Sequence, residues 1–475
     1  MNVSDLTVST RIARWALDAF TNRHVPADVL AIGRIQLADT VAVCLAGSTE
    51  PGVWALRKSL TQSGAVLSMR DLALLVGTAS HALDYDNVQI PSLVHPSCFA
   101  VPTVLIAGRQ THSSATEILC ALVITQEVSL WLGDTTVVGK NSRLFERGFH
   151  PTAVCGPVGA AVGAGLLLGL NETELAHAIN IACSMASGIL EGNRTGGEVK
   201  PMHAGLCASS GIFAAELAQS GMTGPPTSVE GRFGFIHAFV GEDAIINVAT
   251  LEAQSVWRTR GVVLKPYPTN AFTHTATDCA IDLRGKGVKI AQLSHVEVRV
   301  AKPILRTIAE PRQEKIKPRT AYLSRFSGPF TFAMAVRGGG GLGLSLTDFS
   351  HSILADQELL SAVEKVEFIE DAECTDAFPS RIICKVVATL QDGTRVEARR
   401  DVNRGSESDP LSLDELYRKY SDCTVNRLNE TEILDLWNLM LTFGEGMETA
   451  GNELWEILQK YVVFNPESVG ADRQV

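Results

Sequence analysis

Apolar residues recur at helical spacing through the first part of the chain. Val8, Ile12, Trp15 and Ala19 share one face, and Ser4 and Asp5 stand where a helix cap is needed. Pro26 fits a first helical position ahead of Val29, Ile32, Ala38 and Val41. A helix ends between Leu166 and Leu170, and Asn171 opens the next, with Glu172 and Glu174 favouring its start through the helix dipole. Pro201 to Gln219 reads as a further small-residue helix, stopped by Gly221. After about residue 290 the period changes. SHVEVRV alternates as a strand does, and RIICKVVATLQDGTRVEARRDV reads as a hairpin turning at Asp392-Gly393. FSGPFTFAMAVRG between them is helical again. So are Pro410 to Tyr420, Glu432 to Leu441 and Glu453 to Tyr461. The pattern predicts a mainly α protein. A large all-helical domain takes up 1–266, an α+β domain is inserted at 267–404, and the chain returns to the helical domain over 405–475.

Composition narrows the function classes. Of 475 residues, 45% are hydrophobic and 20% charged, which suits folded domains and not a disordered chain. A net charge of -11 speaks against nucleic acid as a partner. It leaves room for an anionic substrate, because a few close cations dominate over distant charges. The ten cysteines are scattered among apolar residues without a CxxC pair, which predicts buried free thiols in a reducing compartment. No signal-peptide pattern opens the chain, and the apolar stretch ending at Leu170 is too short to span a bilayer. The expectation is a cytoplasmic protein with no membrane partner.

Four stretches carry chemistry. HALDYDNVQIPSLVHPS holds His81, Asp84, Asp86 and His95. By ligand type its H-x2-D-x-D could bind a metal; by position, His81 and Asp84 could simply end a helix and cap a loop. GFHPTAVCGPVGAA sets His150 between a glycine and a proline at the start of a Gly/Ala-rich helix. GNRTGGEVKPMHAG delivers Lys200 and His203 from a glycine-rich loop onto a helix start. A lysine there can bind a carboxylate or, if desolvated, act as a base. LKPYPTNAFTHTATD stiffens a loop with two prolines and brings Lys265, Asn270 and His274, the last readable equally as a packed core residue. VRGGGGLGLS lacks the Lys-Ser/Thr of a phosphate loop, and no GxSxG is present.

Taken in order, these stretches resemble the MmgE/PrpD family, whose members include dehydratases, decarboxylases and epimerases of small carboxylic acids. The matching segments are GTASHALDYD with HPS, GFHPTAVCGPVGAA, VKPMHAG, TGPPTSVEGRFGF, KPYP with a downstream His, and PLSLDELYRKY. They span nearly the whole chain. The resemblance implies a helical domain with an α+β lid, a homodimer, and neither metal nor organic cofactor. It places Asp84, His95, His150, Lys200 and Lys265 in the family's pocket. It also marks departures from the decarboxylase pattern: Val88 for a Thr, Asn270 for a His, Phe330 for a Tyr, and Asn87 for a second Asp. Each lost hydrogen bond is worth about 1–3 kcal/mol.

The expected function is therefore a cofactor-independent lyase that moves a proton alpha to a carboxylate of a small acid, with dehydratase-like elimination favoured over decarboxylation. His150 is the expected general acid/base, and Lys200, Lys265 and His95 are expected to hold the carboxylate. Asp84 is expected to orient His95 or to transfer a proton itself. His203, Asn270, Val88, Phe330 and His274 are expected to line the substrate. An epimerase, needing two bases such as His150 and Lys200 on opposite faces, is the alternative from a second enzyme class. A non-catalytic binding protein on the same scaffold is the third reading, and the retained ionisable residues speak against it.

Overall fold

The computed structural model describes residues 6–62, 64, 66–253, 256–445 and 450–464. The capping positions read at Ser4 and Asp5 lie outside them. The first helix, Val8–Thr21, is capped by Thr7, whose side chain accepts from the Thr10 amide. Pro26 sits one residue earlier than expected, just before the helix Ala27–Gly47. Asn171 caps Glu172–Cys183, and the Glu174 carboxylate reaches back to the Asn171 amide to close a capping box.

Helices dominate, and the apolar residues sort into two cores. The larger gathers the helices of the first half with the C-terminal ones, so that Leu436, Trp455 and Val462 lie beside Leu37, Val104 and Ile124. Two helices, Ala27–Gly47 and Ala115–Thr135, are long and apolar enough to cross a bilayer by length and composition. Their most apolar windows are 67% and 89% buried inside the protein, as core helices are.

The smaller core belongs to an α+β unit. Its sheet runs Val366–Glu370, Leu293–Val300, Cys384–Leu390, Arg395–Arg400, with the first pair parallel and the others antiparallel. The hairpin forms as its alternation requires. Thr389 pairs with Arg395 around a turn in which Gly393 takes φ +86°, a conformation glycine adopts without strain. The helix Gly328–Arg337 packs on His274–Gly285, which in turn lies against the last two strands.

Two features of the first part differ from the all-helical expectation. Val88–Gln89 pairs antiparallel with Val262–Val263, and Val88, Ile90 and Val263 pack into the α+β core although they precede residue 267. Two-residue strands have no periodicity to read. This ladder positions the site, because it ties the loop after His81 to the chain just ahead of Lys265.

Candidate active site

Helix ends and one loop build the site. The helix Met69–His81 finishes at His81, and the chain turns through Asp84, whose φ of +52° is left-handed. Three cations from three distant segments hold this turn by consecutive carbonyl oxygens. Arg325 Nη1 donates to Leu83 at 3.3 Å, Lys265 Nζ to Asp84 at 2.8 Å, and Lys419 Nζ to Tyr85 at 2.9 Å. Lys419 is itself paired at 2.5 Å with the buried Asp39. His150 occupies the cap position of the helix Pro151–Leu167, and Lys200 lies in the first turn of Val199–Gln219. Glycines press that last helix onto Met69–His81. A Cβ on Gly205 would stand 2.1 Å from the Leu74 carbonyl oxygen, and one on Gly77 would stand 2.7 Å from the Gly205 Cα. The close crossing brings the Lys200 end of one helix to the His81 end of the other.

The five ionisable residues expected in the pocket converge. Lys200 Nζ meets Asp84 Oδ1 at 2.6 Å and Lys265 Nζ meets Oδ2 at 3.2 Å, all three side chains being buried. His95 lies 4.8 Å from His81 between ring centres and 6.2 Å from His150. His150 stacks on His81 at 5.5 Å, and its Nδ1 is 3.1 Å from the Nδ1 of His203, so one ring donates and the other accepts. The His95 amide donates to Thr152 Oγ1 at 2.9 Å, which ties the His95 loop to the His150 helix.

One expected partnership is replaced by another. The carboxylate beside His95 is Asp86, not Asp84: Asp86 Oδ2 accepts from His81 Nδ1 at 2.9 Å and from His95 Nδ1 at 3.0 Å. These bonds put the His95 proton on Nδ1 and leave Nε2 as an acceptor. His81 and Asp86 thus join the site, which spacing alone left open between metal ligation and a loop cap. Asn87, in the place of a second Asp, donates to Ser97 Oγ at 2.8 Å and is part of the scaffold.

The other expected contacts are engaged in packing or caps. Phe330 is fully buried in the α+β core, 6.1 Å from Phe349 between ring centres, and Val88 is buried in the same core. The Asn270 side chain accepts from the Phe272 amide and caps a short turn. His274 packs edge-on against Tyr267 and bonds through Nε2 to the Thr269 carbonyl at 3.2 Å. Two residues that sequence reasoning missed do approach the cluster. The Tyr322 hydroxyl and the Arg325 Nε are buried there without a hydrogen-bond partner.

The electrostatics follow from burial and pairing. Burial pushes the Asp84 carboxyl up, but Lys200 and Lys265 outweigh it and hold the group ionised, below the usual carboxylate range. Lys200 loses by burial and gains more from Asp84, so its ammonium is strengthened; for Lys265 burial wins and the value falls. Burial, with Lys200 adding to it, keeps His150 neutral well below the usual imidazole range. Burial takes His81 and His203 down to about 4. Burial likewise works against Asp86, but its two imidazole partners prevail and keep it a carboxylate. His81, Asp86 and His95 bring ligand-type atoms within 4.8 Å of one another. Their nitrogens already address one carboxylate oxygen, and the ammonium groups of Lys200 and Lys265 stand close by, paired with Asp84.

All ten cysteines are unpaired and buried, as their apolar settings predicted.

Comparison with known proteins gives the family. Family models for the MmgE/PrpD N-terminal and C-terminal domains match residues 10–246 and 267–439. A human protein named cis-aconitate decarboxylase is 26% identical over 358 residues, covering 73% of this chain and 71% of the relative. The mouse protein of that name is 24% identical, over 79% and 75% of the two chains. One from Aspergillus terreus is 23% identical, over 91% and 92%. These relatives are carboxy-lyases by name, and this chain is an enzyme of the lyase type. With both domain models matched in order over most of its length, the chain belongs to the MmgE/PrpD family.

Proposed function

We propose that this chain is a cofactor-independent lyase that makes or quenches a carbanion beside a carboxylate of a small polycarboxylic acid. The observation that carries the reading is one buried cluster in which Lys200 and Lys265 pair with Asp84 and His150 stacks on His81. A carbanion next to a carboxylate is costly because negative charge builds beside an existing anion. Fixed cations in a dry site lower that cost more than water does. Lys200 and Lys265 supply them, and Asp84 keeps the two ammonium groups from repelling each other. Asp86 orients His95, whose Nε2 is free to accept a substrate proton or hydroxyl.

Elimination of water is the favoured outcome, because the pocket holds both a base and an acid. His150 takes the α-proton, that electron pair becomes the double bond, the β carbon–oxygen bond breaks, and the hydroxyl leaves as water with a proton supplied from the site while Lys200 stays charged. Decarboxylation is the second reading, and the names of the relatives favour it. There the carbon–carbon bond breaks first, carbon dioxide departs, and the carbanion takes a proton from the site. Incubation with β-hydroxy di- and tricarboxylates and with cis-aconitate, followed by NMR, separates the two. New alkene signals with intact carboxylates support elimination; loss of one carboxyl carbon supports decarboxylation. Full activity in both His150→Ala and Lys200→Ala would sink either reading. The buried thiols support a reducing compartment, and a homodimer remains part of the proposal.

A further inference from the structure

The segment Ala321–Ser324, with Arg325 and Phe326 after it, comes from the α+β unit and lies over Lys200. The Phe326 ring centre is 5.3 Å from Lys200 Nζ. Leu323 faces Gly196, in the turn ahead of Lys200, at 3.7 Å from where a Cβ would stand. Two donors of this segment are left with capacity to spare. The Tyr322 hydroxyl is buried and has no hydrogen-bond partner. Arg325 is 5% exposed, spends one long bond of 3.3 Å on the Leu83 carbonyl, and has a buried Nε without a partner. Among the described residues, no carboxylate pairs with the Arg325 guanidinium. Burying a guanidinium that has five N–H donors and no counter-ion is unfavourable unless an anion completes it. Lys200, Lys265 and Asp84 already satisfy one another, so these donors are the pocket's unspent ones.

We propose that Tyr322 and Arg325 bind a second carboxylate of the substrate, the one remote from the reacting carbon. The inference rests on the reading of the pocket as a polycarboxylate lyase site. It assigns the planar N–H edge of Arg325 to the carboxylate, which it fits in a two-pronged way, and the Tyr322 hydroxyl to one of the same oxygens. The α+β unit supplies the selecting residues, and the helical unit supplies the reacting ones.

The test is calorimetric binding of two unreactive probes, tricarballylate and butyrate, to the full chain and to Arg325→Met, Arg325→Lys and Tyr322→Phe. Expected is a loss of about tenfold or more in tricarballylate affinity for Arg325→Met, with butyrate affinity changed less than about threefold. Arg325→Lys should restore part of the loss, and Tyr322→Phe, which preserves shape, should show the same selectivity at smaller size. Equal weakening of both probes would mean that Arg325 only props the Leu83 turn, and would overturn the inference. So would unchanged tricarballylate affinity in Arg325→Met and Tyr322→Phe. If the unaltered chain binds neither probe, the reading of the pocket falls, and this inference with it. If it binds tricarballylate and the variants do so equally, this inference alone falls.

Discussion

Acid should unfold this protein through its histidines before it protonates the site's carboxylates. His81, His203 and His274 are 1%, 3% and 0% exposed, and burial lowers them to about 4, 4 and 3. In the unfolded chain each titrates near 6.5. A group held neutral by folding stabilises the fold fully above its unfolded pKa. That contribution is lost as pH falls from about 6.5 through the folded value. At pH 5, linkage gives a loss of about 2 kcal/mol for each such histidine relative to pH 7.5. The three together come to roughly 4–6 kcal/mol, and His95 and His150, also lowered, add to it. The assay is urea denaturation of the full chain at pH 7.5 and 5.0, with imidazole NMR of histidine-labelled protein to count neutral rings. The expected result is a much lower midpoint at pH 5.0 while, in the folded protein, four rings of the eleven histidines, those of His81, His150, His203 and His274, stay neutral. Equal midpoints, or buried rings titrating near 6.5, would refute the reasoning.

Other consequences can be checked as directly. Asp84→Asn leaves the buried Lys200 and Lys265 without their shared anion and should cost about 3–5 kcal/mol near neutral pH. Because the two lysines would then be held below their unfolded pKa, denaturation should show stability returning as pH rises toward 10. Gly205→Ala should destabilise by about 1–3 kcal/mol and lower activity by parting the two helices, whereas Gly192→Ala, with nothing within 4 Å of its added carbon, should melt like the parent. Lys419→Met strands the buried Asp39 and should lower the melting temperature sharply; adding Asp39→Leu should recover part of that loss, since replacing a whole buried pair costs less than breaking it.

Much of this architecture is legible in the sequence where local chemistry decides it. The strand Leu293–Val300 and the hairpin after it alternate with period two, and Asp392-Gly393 marks the turn. His150 and Lys200 stand out because glycine and proline fix their turns at helix starts. The role of Asp86 is not legible, because in Asp84-Tyr85-Asp86 the spacing does not say which carboxylate meets the histidines. That is decided by the left-handed turn at Asp84 and the three cations holding it. Tyr322 and Arg325 reach the pocket only through the packing of one unit on the other, which no local pattern encodes. Phe330 shows the converse: it sits in a suggestive motif, but apolar packing claims it.

The proposed lyase forms a carbanion beside a carboxylate, with His150 moving the proton and Lys200 holding the charge. The most direct measurement is proton NMR in D2O on the acid that the enzyme turns over, for the parent, His150→Phe and Lys200→Met. Deuterium should enter the parent's reactant or product at the carbon next to the carboxylate, in the hydroxy acid formed back from the alkene if the reaction is elimination and in the decarboxylated product if it is decarboxylation, and both turnover and exchange should be lost in folded forms of the two variants. Hydration of the alkene or decarboxylation in the parent without deuterium at that carbon, or exchange undiminished in both variants, would contradict this.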